Sequence, residues 1–158
     1  MQNQELSEIV AKVVQNLTSK KISLALAKTV ADKIQDKAKE LGVNAVIAIC
    51  DKGANPILVH SMDDAYIASY DIAVNKAFTC ASLKMSTKTL SGLAQPGKSL
   101  YGIQFTNQGK IVIFGGGEPL EVNGEVIGGL GVSGGSEEQD TLLGAYGKSV
   151  FETEISKL

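Results

Sequence analysis

His60 is the only histidine in the chain. It stands in Ile57-Leu58-Val59-His60-Ser61-Met62, where strand alternation puts it on one side with Leu58 and Met62. A neutral imidazole in an apolar surround suits a single axial bond to haem iron or corrinoid cobalt. The same residue suits a sheet edge, held by a hydrogen bond, and the residues alone leave both readings open. One histidine with Cys50 and Cys80 makes no zinc cluster, and spacing suggests no Ser-His-Asp arrangement. Both cysteines fall in apolar segments and read as reduced core residues. Lys76 lies midway along an alanine-rich segment, where its ammonium could reach a ligand carboxylate or snorkel to the surface.

Two glycine-rich stretches invite comparison with phosphate-cradling loops: Gly115-Gly116-Gly117-Glu118-Pro119 and Gly128-Gly129-Leu130-Gly131-Val132-Ser133-Gly134-Gly135. Neither carries the Walker Lys-Ser/Thr. Residues 129–134 fit G-x-G-x-x-G, but that motif needs its glycines between a strand and a helix of a parallel βαβ unit. Here the match starts inside an expected antiparallel strand, which argues against nucleotide binding. The glycines read instead as places where backbone approaches a ligand or a neighbouring subunit, with N–H groups at the start of the last helix open to an anion. Asp63, Asp64, Glu118 and Glu121 are too scattered to form an acid/base pair. The candidate cofactor-binding residues are therefore His60, Met62, Lys76, Gly115, Gly116, Gly117, Glu118 and Ser133, with His60 the candidate metal ligand.

These residues need elements to position them. Leu6, Ile9, Val10, Val13 and Leu17 recur at helical spacing, and Ser19-Lys20-Lys21 interrupts the pattern. Ile22, Leu26, Val30, Ile34, Ala38 and Leu41 form a second stripe that stops at Gly42. Residues 43–50 are an apolar, β-branched run predicting a buried strand, the turn cluster 51–56 follows, and residues 57–62 return as a hairpin. Asp63 and Asp64 are expected to cap a long helix over residues 65–85. On it Ser69, Ala73, Ala77 and Ala81 make a small-residue row that permits close packing. A short helix starts at Ser86, residues 99–107 read as loop, and residues 111–114 are an expected strand. Asn123-Gly124 predicts a type I′ hairpin between residues 118–122 and 125–132. Ser136-Glu137-Glu138-Gln139 fits a capping box opening the last helix.

With two hairpins and no βαβ alternation, the expected class is α+β, an antiparallel sheet flanked by helices. The formal net charge of -2, with every basic side chain a lysine, offers no attraction to nucleic acid or anionic membranes and no guanidinium fork. No apolar run approaches membrane-spanning length, and the front of the chain lacks a basic start followed by an apolar block, so the expected location is cytoplasmic.

Residues 22–151 resemble the GlcG/HbpS-like (haem-degrading) family, also found as the C-terminal domain of PduO-type cobalamin adenosyltransferases. The matching pieces are Ile22-Ser23-Leu24-Ala25-Leu26-Ala27, residues 48–56, Met62-Asp63-Asp64-Ala65, Asn75-Lys76-Ala77, Gly115-Gly116-Gly117-Glu118-Pro119-Leu120, residues 124–135 and Gln139-Asp140. The resemblance implies a profilin-like or PAS-like five-stranded antiparallel sheet, a homo-oligomer, and haem or corrinoid binding in some members, with a ligand role for His60. It disfavours adenosyltransferase activity, which belongs to a domain this chain lacks. Two units are expected: residues 1–20, an amphipathic helix with a linker, and the family domain 21–158. The front helix, residues 4–17, is extra to the family pattern and is similar to encapsulation peptides that target enzymes to the shell of a bacterial microcompartment; the alternative is a helix packing on its own oligomer. The expected function is binding of haem, a corrinoid or a related small ligand. The alternatives are an interaction component of a microcompartment and an enzyme acting on a small oxygenated metabolite.

Overall fold

A computed structural model describes residues 2–17 and 21–158. The expected interruption at Ser19-Lys20 lies outside the described residues. The elements run α1 (Gln2–Leu17), α2 (Leu24–Glu40), β1 (Val46–Asp51), β2 (Pro56–Ser61), α3 (Ile67–Leu83), α4 (Thr87–Leu93), two single 3₁₀ turns, β3 (Gly117–Val122), β4 (Glu125–Ser133) and α5 (Glu137–Ile155).

The sheet is antiparallel with order β2-β1-β4-β3. Because side chains alternate across a sheet, β1 divides its apolar run between two layers. Ile47 and Ile49 join Leu130 and Val132 in a core under α2 and α5, while Val46, Ala48 and Cys50 pack against Ala73, Ala77 and Ala81 of α3. The small row on α3 has its counterpart in the sheet. A Cβ on Gly129 would come within 2.2 Å of the Ala77 carbonyl oxygen, and one on Gly131 within 2.0 Å of the Ala73 carbonyl oxygen. Two of the three glycines that mimic a dinucleotide fingerprint, Gly129 and Gly131, thus form the groove in which α3 lies, while Gly134 packs against Asn44 and Ala45.

Local chemistry explains the element ends. The Asp51 carboxylate accepts the N–H groups of Gly53 and Asn55, closing the β1–β2 hairpin. Asn123 and Gly124 both have positive φ, 51° and 77°, as a type I′ turn requires. Ser136 and Gln139 complete the capping box of α5.

Two expectations are corrected. Four strands are present among the described residues, not five: residues 111–114 do not pair with the sheet. The Val112 N–H donates instead to Thr79 Oγ1 of α3, so Ile111 and Val112 are buried against the helix without joining a ladder. Asp63 and Asp64 do not cap α3. Asp64 turns the chain at φ 61°, and the helix starts after Tyr66 with no side-chain cap.

Candidate functional site

The residues singled out by the sequence fall into two groups on opposite faces of the sheet. His60 pairs with Ile47, so it lies on the α2/α5 face of the edge strand β2. Its Nδ1 is buried without a hydrogen bond and sits 3.8 Å from Asp32 Oδ1 on α2. Its side chain is still 29% exposed, so side-chain atoms other than Nδ1 carry that exposure. At 3.8 Å Asp32 is within ion-pair reach of Nδ1 without a hydrogen bond; a carboxylate that accepts the Nδ1 hydrogen is what orients a metal-ligating imidazole and leaves Nε2 as the free lone pair. Asp32 is a partner that sequence reasoning missed. It sits 28 positions away on an exposed helix face, with no local signal linking it to His60. Met62 lies on the same face, but its Sδ accepts the Ala45 N–H at 3.3 Å and its side chain packs into the core, so its sulfur already has a partner.

The second group surrounds Lys76. This lysine is 0% exposed, and its Nζ donates to the Val132 carbonyl at 2.7 Å and to Asp140 Oδ2 at 3.1 Å. The Phe114 ring lies 5.1 Å from Nζ. Burial lowers the Lys76 pKa, and Asp140 opposes that shift. The ammonium, expected either to reach a ligand carboxylate or to snorkel to the surface, is turned inward onto a carboxylate of α5.

Gly116 passes beside this pair, where an added Cβ would lie 2.7 Å from Lys76 Nζ and 2.9 Å from Asp140 Cβ. The Gly115 N–H donates to Glu137 Oε1, the Gly117 N–H to Thr87 Oγ1, and the Gly135 N–H to Asp140 Oδ1. The glycine backbone therefore approaches the chain's own helices, and these three N–H groups have protein partners; at the start of α5 the Ser136 N–H donates to Gln139 Oε1 and the Gln139 N–H to Ser136 Oγ. Glu137 carries a lowered pKa, first because of the Gly115 N–H and then because of Lys88. Glu118 lies apart from this group: it pairs with Leu130 on the α2/α5 face, beside Gly144; burial raises its pKa and Lys148 opposes that. Ser133 faces α3, where its hydroxyl meets Ser69 Oγ at 3.2 Å.

Neither cysteine is poised for chemistry. Burial pushes the Cys50 thiol up to about 11 and raises Cys80 further, and thiols held protonated are inert. Among the described residues no group of three or more His, Cys, Asp or Glu side chains is placed to hold a metal ion. No helix among them is long and apolar enough to cross a membrane.

This four-stranded sheet with its glycine groove matches a known family. The model for the haem degrading protein HbpS-like family matches residues 22–147. The chain belongs to the HbpS-like family. Its relatives include the uncharacterized 15.0 kDa protein of the dhaT-dhaS intergenic region of Citrobacter freundii, 51% identical over 77% of this chain and 86% of that protein. The corrinoid adenosyltransferase PduO of Salmonella typhimurium is 44% identical over 66% of this chain, which covers 31% of the PduO length. Among solved structures, ORFY of Klebsiella pneumoniae superposes with a TM-score of 0.81 at 44% identity, covering 85% of this chain and 95% of that one. A PduOC:haem complex superposes with a TM-score of 0.80 at 36% identity, covering 83% and 95%. The HbpS-like match begins at Ile22, so α1 stands outside it.

Proposed function

We propose that this HbpS-like chain is a homo-oligomeric binding protein for haem or a closely related tetrapyrrole, with His60 as the axial ligand. The observation that carries the reading is the 36% identity to a domain solved as a haem complex, together with one histidine whose Nδ1 faces a carboxylate. His60 fits the group. Its Nδ1 is an orphaned polar atom beside Asp32, its side chain is partly exposed, and its flanking partners Leu58 and Met62 are apolar. His60 would hold the iron through its imidazole, and a bound haem would supply a redox-active iron at that site. Corrinoid cobalt is the alternative metal. The site is read as a binding site and not as a catalytic one: an enzyme reading needs space between Lys76 and residues 115–117, and Gly116 fills it.

Titrating the full chain with haemin is expected to shift the Soret band to a saturating end point, and His60→Ala to abolish that shift. An unchanged band with the wild type overturns the haem reading. A shift that persists in His60→Ala removes His60 from it.

A second reading is favoured by α1. Leu6, Ile9, Val10 and Val13 are 60%, 54%, 52% and 48% exposed. An apolar helical stripe of this kind is suited to docking in a groove, and we assign it to a microcompartment shell protein. Deleting residues 1–20 is expected to abolish co-localisation with shells while leaving the thermal midpoint within about 2 °C, because a stripe left in water contributes little to folding. Unaltered localisation overturns the assignment.

A further inference from the structure

On the α3 side, away from His60, a cleft opens between the first turns of α3 and α5. Its volume is 340 Å³, within the usual range for small-molecule sites, and its lining includes Tyr66, Ser69, Ile72, Phe114, Ser133 and Glu137. Tyr66 and Phe114 are 73% and 42% exposed, so aromatic surface is presented to solvent at this cleft.

Its polar lining is the serine pair. Ser69 and Ser133 are 3% and 5% exposed, and their hydroxyl oxygens are 3.2 Å apart. Each hydroxyl carries one hydrogen. When Ser133 donates to Ser69, the Ser69 hydrogen has no acceptor among the described residues; reversing the direction frees the Ser133 hydrogen instead. Either way one hydroxyl hydrogen of this buried pair has no acceptor among the described residues and is placed to donate into the cleft.

The charges at the cleft are already matched. Asp140 is held by Lys76 and the Gly135 N–H, and Glu137 by the Gly115 N–H and Lys88. Neither carboxylate calls for a cation, and both repel an anion. We propose that this cleft binds a small uncharged molecule with a flat apolar body and a carbonyl or hydroxyl group, the body against Tyr66 and Phe114 and the oxygen on the Ser69–Ser133 hydroxyls. The proposal does not depend on the haem reading, because it uses no residue on the His60 face.

Three probes with one body and different heads test it: benzamide, benzoate and benzylamine, titrated into the full chain by ligand-observed saturation-transfer NMR. Benzamide is expected to bind saturably and benzoate at least about tenfold more weakly. The Ser69→Ala/Ser133→Ala variant is expected to weaken benzamide by about tenfold, the scale of one lost hydrogen bond. Tyr66→Ala, a change at an exposed wall that leaves the fold alone, is expected to weaken it several-fold, and it decides the matter if the serine variant does not fold. Absence of saturable benzamide binding, wild-type binding by folded variants, or tighter binding of benzylamine than of benzamide overturns the proposal.

Discussion

Replacing Lys76 with methionine is expected to destabilise the protein by about 3–5 kcal/mol, the cost of removing one partner from a buried ion pair. Methionine fills nearly the same space, so the loss comes from Asp140. That carboxylate is 4% exposed, and the remaining Gly135 N–H cannot replace an ammonium 3.1 Å away. A loss of that size is a large share of the stability of a typical domain, and it should appear as a lower urea midpoint at unchanged m-value. The second half of the cycle separates charge from packing. Lys76→Met with Asp140→Asn removes the stranded charge but keeps an acceptor for Gly135, so the double variant is expected to recover roughly 2 kcal/mol relative to Lys76→Met. A single-variant loss under about 1 kcal/mol would mean that water reaches the pair, as it does at surface ion pairs.

The Lys76 clamp also marks where sequence reasoning reaches its limit. Elements governed by local chemistry were legible: the Asn123-Gly124 turn, the Ser136 capping box and the α2 stripe depend on neighbours within a few residues. The α3 small row was legible as a packing surface, because a run of alanines and serines at four-residue spacing has few other uses. Lys76 was legible only as a lysine in an apolar helix. Whether its ammonium turns outward or inward is decided by Asp140, 64 positions later. The expected strand over residues 111–114 failed for a related reason. Its apolar pattern reported burial correctly, since Ile111 and Val112 are inside, but the ladder partner is replaced by the Thr79 hydroxyl of a distant helix. Periodicity reports that a face is covered and not what covers it. His60 shows the same limit from the other side: its strand and face were readable, whereas Asp32 was not.

Gly131→Ala is expected to be the most damaging single-methyl change in the chain. The new Cβ would stand 2.0 Å from the Ala73 carbonyl oxygen, 2.8 Å from the Ala77 nitrogen and 2.9 Å from Lys76 Cβ. The first two are backbone atoms of α3, so relief requires the helix to move off β4, which also draws Lys76 away from the Val132 carbonyl and Asp140. Overpacking of a rigid core costs about 1–3 kcal/mol, and losing the buried pair with it brings the total to about 4 kcal/mol or more. Gly147 provides the contrast. There an added Cβ meets Ile34 Cδ1 at 2.4 Å and Leu130 Cδ2 at 2.6 Å, both ends of side chains. Gly147→Ala should therefore be partly rescued by Ile34→Val, which deletes the clashing methyl, whereas Ala73→Gly should not rescue Gly131→Ala, because the clashing oxygen belongs to the main chain. Thermal midpoints of the four variants check this. Rescue of Gly131→Ala by Ala73→Gly would show that α3 shifts on the sheet at little cost, and the glycines of β4 would then need a reason other than the close approach of that helix.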